Sequence, residues 1–146
     1  MHATLGRAGR EDFQALAELW EASVRATHSF LSEEDIRFFK PLMVESYLPA
    51  VELHCARDES GIIVGFIGTA GNKIEMLFVA PEHFGKGIGK LLLSHAVNDL
   101  RATAVDVNEQ NPSALGFYEH LGFVITGRSP VDGAGKPYPL LHMRLP

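Results

Sequence analysis

The 146-residue chain contains one cysteine, Cys55, so neither an internal disulfide nor a thiolate metal site is open to it. That agrees with a reducing compartment, and Cys55 is expected to pack as a small hydrophobe. Runs of basic residues are also missing: 13 Lys and Arg lie scattered against 18 Asp and Glu, leaving a formal charge of -5. Such a chain offers no electrostatic footprint for nucleic acid. No uninterrupted apolar stretch is long enough to cross a bilayer, and the opening MHATLGRAGREDF holds no apolar core of signal-peptide length. No membrane partner and a cytoplasmic location are therefore expected. Seven histidines are present, but none shows a ligand spacing such as H-E-x-x-H, so no metal is expected.

With 46% hydrophobic residues, the chain has apolar material for one core, and a single domain over 1–146 is expected. ATLGRA (3–8) reads as a strand. Phe13, Leu16, Trp20 and Val24 then recur at helical spacing from Glu11 to about Thr27. Ser32 with Asp35 resembles a capping box, and Ile36, Phe39, Met43 and Tyr47 predict a second helix, bent at Pro41 and ended by Pro49. Strands follow at 51–57, 62–70 and 73–80, separated by turn signals that suit an antiparallel meander. After Pro81 come a glycine stretch, a helix to about Leu100, a strand at 103–108 and a helix opened by Asn111-Pro112. FVITGRS and LLHMRL close the chain as a strand pair. Meander and crossover connections together predict a mixed α/β fold with a mostly antiparallel sheet.

The glycine stretch FGKGIGKL (84–91) stands between a strand and a helix, an arrangement that suits an anion. A helix's first N–H groups are unpaired and its dipole favours negative charge. Glycine lets the backbone take positive φ and approach a ligand closely. A Walker A loop would need glycine at 84 and Ser or Thr at 91, where Phe84 and Leu91 stand. A dinucleotide fingerprint would need a small residue at 90 or 92, where Lys90 and Leu92 stand. Both standard nucleotide loops fail, and a flexible turn without a ligand remains the plain alternative.

The run IEMLFVAPEHFGKGIGKLLL followed by VNEQNPSALGFYEHLGF resembles the acetyl-CoA-dependent N-acetyltransferases of the GNAT superfamily. The resemblance covers the whole chain by element order and residues 73–123 by motif. It implies about seven strands flanked by four helices, with a splayed strand pair holding acetyl-CoA. The family signature begins with Arg or Gln, followed after two residues by Gly-x-Gly or Gly-x-Ala, and here falls on Phe84 to Gly89. Gly87 and Gly89 occupy its small positions, while Phe84 departs from the leading Arg or Gln. The implied pyrophosphate cradle is Phe84, Gly85, Lys86, Gly87, Ile88, Gly89 and Lys90. Phe84 is expected to contribute its own N–H, and Lys86 and Lys90 positive charge. Leu77, Phe78 and Val79 would meet the pantetheine arm through backbone groups, with Asn111 as helix cap and polar contact.

Tyr118 falls where the family places its general acid, although Ala114, Phe117, Tyr118 and Leu121 also form an apolar helical stripe that core packing would explain. Strand alternation puts Lys73, Glu75, Leu77 and Val79 on one face and Asp106 and Asn108 on one face of theirs. Glu75 and Asp106 are then candidates to receive a cationic amine or relay its proton, with a solvated strand face as the alternative, and Asn108 a candidate contact to the acceptor. ATHSFL and DGAGKPYPLL resemble stretches of small bacterial members of the superfamily. By that resemblance His28, Phe30 and Tyr138 line the acceptor side, structural packing being the other reading of each. The function implied is acetyl transfer to a primary amine of a small molecule or peptide, by direct attack, with a homodimer as the frequent assembly. The alternative from another class is a CoA-binding sensor with weak turnover.

Overall fold

The computed structural model of the chain describes residues 2–146. Seven strands and four helices follow in the anticipated order. They are β1 (Thr4–Arg7), α1 (Phe13–Thr27), α2 (Glu33–Leu42), β2 (Glu52–Arg57), β3 (Ile63–Ala70), β4 (Lys73–Val79), α3 (Ile88–Asn98), β5 (Ala104–Asn108), α4 (Pro112–His120), β6 (Val124–Ser129) and β7 (Leu140–Arg144). Helix starts follow their caps: Ser32 Oγ accepts from Asp35 N at 3.1 Å, and Asn111 Oδ1 accepts from Ala114 N at 3.2 Å with Pro112 in the first turn. Pro41 does not end α2. The helix passes through it and widens into a π-helical turn at Met43–Tyr47 and a 3-10 turn at Leu48–Ala50. Pro41 lacks an N–H to bond backwards, and the buried side chains of Met43 and Leu48 keep the widened segment packed.

The sheet runs β1-β2-β3-β4-β5-β7-β6. Every neighbouring pair is antiparallel except β4 with β5, which are parallel and register only at Lys73↔Ala104 and Ile74↔Val105. Beyond those two pairs the strands diverge and leave a wedge. The chain's last strand, β7, enters between β5 and β6 rather than extending the edge.

Two apolar layers cover the sheet. Leu16, Trp20 and Val24 of α1 pack with Ile36, Leu48 and Phe66 on one face, whereas Ile88, Leu92 and Ala96 of α3 pack with Val105, Tyr118 and Met143 on the other. A bulge in β4 decides which layer each of its residues meets. Gly68 opposes Met76 and Thr69 opposes Ile74, so Glu75 has no partner of its own. The expected alternation of Lys73, Glu75, Leu77 and Val79 is thereby broken. Leu77 and Val79 join the α3 layer, while Glu75 turns to the side of Met76 and Phe78. Among the described residues no helix is long and apolar enough to cross a membrane, and no three potential metal ligands converge.

Candidate active site

The glycine stretch builds an open amide cradle. Gly85 and Gly87 hold φ of 76° and 84°, a region costly for residues with a Cβ, and Gly87 is the N-cap of α3. The N–H groups of Gly85, Gly87, Ile88, Gly89 and Lys90 find no hydrogen-bond partner among the described residues. A Cβ on Gly85 or Gly87 would meet no protein atom within 4 Å, so the space beside them is free for a ligand. Ile88 sends its side chain into the core, 4% exposed, and anchors the turn. Lys90 lines the cleft beside the cradle, whereas Lys86 is exposed outside that lining; neither forms an ion pair among the described residues. Phe84 differs from expectation. Its N–H donates to Pro81 O at 3.2 Å, closing the turn before the cradle, so that donor is already committed and its half-exposed ring is what faces the cleft.

Backbone polarity continues from the cradle along β4. Ala80 N donates to Val64 O at 2.9 Å, and antiparallel alternation then aims the N–H and C=O of Phe78 at β3 and those of Leu77 and Val79 into the wedge. Leu77, Phe78 and Val79, the cradle apart from Lys86, Asn111 and Tyr118 line one cleft of about 500 Å³. Tyr118 is 6% exposed, edge-on to Phe117 and Phe123. Burial pushes its phenol well above the ordinary range, so it stays protonated. Asn111, 8% exposed, uses Oδ1 as cap and turns Nδ2 toward His28 Nε2 at 3.4 Å.

A second cavity, about 570 Å³, opens on the α1 side of the wedge. His28 and Phe78 line both cavities, so the two meet there. Its walls are apolar (Trp20, Val24, Phe39, Met76), with Glu75, Asn108 and Asp132 as polar members and no Lys or Arg. Tyr138 lines it and donates its hydroxyl to Asp35, whose other oxygen takes Lys136 Nζ at 2.9 Å. This ties the Asp132 loop to the start of α2. Hydrogen bonds from Tyr138 and Lys136 hold the Asp35 carboxyl below its usual range despite some desolvation. Phe30 is not on the lining. It stands between His28 and Tyr138, with ring centroids 5.1 and 5.9 Å away, and so supports the wall from behind.

Asp106 is not brought to the cavity either. It shares a face with Asn108, as alternation predicts, but its Oδ2 takes Lys73 Nζ at 2.7 Å and its Oδ1 takes His142 Nδ1 at 2.6 Å. Burial opposes its ionisation, and the bonds from His142 and Lys73 outweigh burial to keep the carboxyl below its usual range. A carboxylate so engaged is a poor proton acceptor. The sequence signal that should have shown this was absent, because Lys73, Asp106 and His142 meet only through strand register. Asp132 was also missed. Asp132-Gly133 reads as an ordinary turn, and its carboxylate does accept from Ala134 N and Lys136 N at 2.9 Å.

A mixed sheet split at a parallel pair, with free β4 amides leading to a glycine cradle at a helix start, defines an acyl-CoA-binding transferase. The profile of the Acetyltransferase (GNAT) domain matches residues 27–145, and the chain belongs to this family. It is 40% identical over 146 residues, all of both chains, to the Salmonella typhimurium peptidyl-lysine N-acetyltransferase YjaB. To the Escherichia coli protein of that name it is 41% identical over 98% of this chain and 97% of the relative. The solution structure of apo YjaB from Escherichia coli superposes with a TM-score of 0.89, covering 99% of this chain and 97% of that one at 40% identity. A Thermoplasma acidophilum PaiA N-acetyltransferase in complex with coenzyme A shares the fold, with a TM-score of 0.73 at 23% identity. The chain is an N-acetyltransferase that uses acetyl-CoA, and its free amides and open glycines fit that cosubstrate.

Proposed function

We propose that this chain, acting as one domain, acetylates the ε-amino group of lysine in peptides or proteins by direct attack of the amine. The observation that carries this reading is the cavity joined to the cofactor cleft at His28 and Phe78. It combines apolar walls for an alkyl stem with the carboxylates of Glu75 and Asp132 and no opposing cation. The names of the relatives at 40% and 41% identity support the same acceptor.

When bound, acetyl-CoA supplies an acetyl group activated as a thioester. The N–H groups of Gly85, Gly87, Ile88, Gly89 and Lys90 hold the pyrophosphate, with Lys90 adding charge. Leu77 and Val79 bond the pantetheine amides through the backbone. Glu75 receives the ammonium, and Asn108 helps orient it. Tyr118 donates a proton to the leaving sulfur. In water a phenol near about 10 lies about 2 kcal/mol uphill of a thiol near about 8.5, but the apolar surroundings that hold Tyr118 protonated penalise a thiolate as well. Asp106 acts at a distance from the acceptor by fixing Lys73 and His142. The reading further places the protein in the cytoplasm and pairs two copies along edge strand β6, where Val124 and Ile125 are about half exposed.

The test is thiol release with DTNB over a panel of lysine peptides, free amino acids and polyamines, with background hydrolysis subtracted and products identified by mass. Lysine peptides acetylated on the side chain are the expected products. Turnover confined to α-amines or small amines would overturn the acceptor.

A further inference from the structure

His28 closes α1 and lies on the linings of both cavities. Its protonation pattern follows from its neighbours' hydrogen-bond valences. Thr27 has one hydroxyl proton, and it goes to Ser23 O at 2.8 Å. Thr27 Oγ1 can therefore only accept from His28 Nδ1, which stands 2.7 Å away. Nδ1 thus carries the proton and Nε2 a lone pair. On the other side, Asn111 Oδ1 is occupied as the α4 cap, so Asn111 presents its NH₂ to Nε2, at a long 3.4 Å. An amide flip would sacrifice the cap. Both partners agree on one tautomer, and burial lowers the imidazole's basicity so that it stays neutral.

The wall between the two cavities therefore holds one weakly bonded lone pair, where an amine from one side reaches a thioester on the other. Asn111, the cap of α4, and Tyr118 lie seven residues apart, about two helical turns, and both share the cofactor-cleft lining with His28, which puts the imidazole and the phenol on one cleft.

We propose that His28 Nε2 is the proton acceptor of the transfer, a catalytic role beyond lining the acceptor cavity.

Once the ammonium drawn in by Glu75 has released one proton to the water of the open cavity, the amine lone pair attacks; as the C–N bond forms and the C–S bond breaks, one of its two remaining N–H protons passes to Nε2, and the sulfur's electron pair takes the Tyr118 proton. The imidazolium then returns its proton through water to the Tyr118 phenolate, so the enzyme is unchanged. The modest basicity of a buried imidazole suffices because a nitrogen bonding to the carbonyl carbon is far more acidic than a free ammonium. Glu75 keeps the separate task of drawing in the cation. The proposal rests on acetyl transfer itself and not on lysine being the acceptor.

Two measurements test it. In the wild-type protein, ¹⁵N shifts of the His28 ring should show Nδ1 protonated and Nε2 bare at neutral pH; a proton on Nε2 overturns the proposal with no turnover needed. In H28Q, which can accept a hydrogen bond but no proton, kcat should fall by about 100-fold. Acetyl-CoA affinity by calorimetry and the melting temperature should stay near wild type. A kcat within about threefold of wild type, on whichever amine the panel shows to be best, also overturns it. Failure of the lysine reading is separate and shows as wild-type turnover on other amines. If H28Q fails to fold, H28N and the wild-type ring shifts decide the matter.

Discussion

Replacing Gly87 by alanine separates the strain of a positive φ from the cost to the ligand, because the fold holds a matched control. Gly87 and Gly61 both sit at φ 84°, and at neither would a Cβ meet a protein atom within 4 Å. Gly61 belongs to the turn between β2 and β3, whose Asp58 side chain accepts from Ser60 N and Ile62 N. Gly87 lines the cofactor cleft and starts α3. An alanine at either site costs about 1–2 kcal/mol of left-handed strain, worth a fall of about 3–8 °C in melting temperature for a chain of this size. Only G87A should also lose acetyl-CoA. Relief of the strain rotates the N–H groups of Gly87 and Ile88 off the pyrophosphate. Two bonds to a charged group are worth about 3–6 kcal/mol together, so affinity should fall by at least about 100-fold. Calorimetry with acetyl-CoA beside thermal melting measures both quantities. Equal affinity in G87A and G61A would refute the amide cradle, and a loss in both would refute its confinement to this loop.

Tyr118→Phe should lower kcat by about 100-fold or more while leaving acetyl-CoA affinity and the melting temperature nearly unchanged, because the phenol packs through its ring against Phe117 and Phe123; single-turnover kinetics beside calorimetry check it. Glu75→Gln should raise the KM of a cationic acceptor by about tenfold with acetyl-CoA binding intact, an outcome read from initial rates at varied peptide. Asp106→Asn should lower the melting temperature by about 3 °C at neutral pH and spare acetyl-CoA affinity. The Asp106 carboxyl lies below its ordinary 3.8 in the folded state, so its contribution is present above that value and lost as pH falls through the lower folded one. Melting temperatures of the two proteins should therefore begin to converge only as the pH falls below 3.8.

Much of this architecture was legible in order of residues alone. Apolar spacing of 3.6 on Leu16, Trp20 and Val24 marked α1 because a helix buries one stripe. Ser32 and Asn111 marked helix starts because unpaired N–H groups need an acceptor within three residues. Gly85, Gly87 and Gly89 marked the cradle because positive φ and close approach are properties of single residues. Cleft positions followed from the resemblance: Leu77 to Val79, Asn111, Tyr118 and every cradle residue except Lys86 fall on one lining.

Local signals carried no register. The bulge at Glu75 depends on how β3 pairs with β4, and it moved one carboxylate from the expected face to the cavity on the α1 side of the wedge. Asp106 read as a free acid until β7, entering between β5 and β6, set His142 opposite it and the short parallel pairing brought Lys73 across. Phe84's donor was spent within its own turn, a choice of φ and ψ that composition does not state. His28 and Asn111 are 83 residues apart, and only the packing of α1's end against α4's start makes them neighbours. Sequence determined the elements and the cradle because those rest on hydrogen bonds and side chains a few residues apart. Tertiary structure decided which carboxylate is free, which imidazole nitrogen is bare and where the two cavities join, because each is a contact between segments whose separation along the chain leaves no periodic trace.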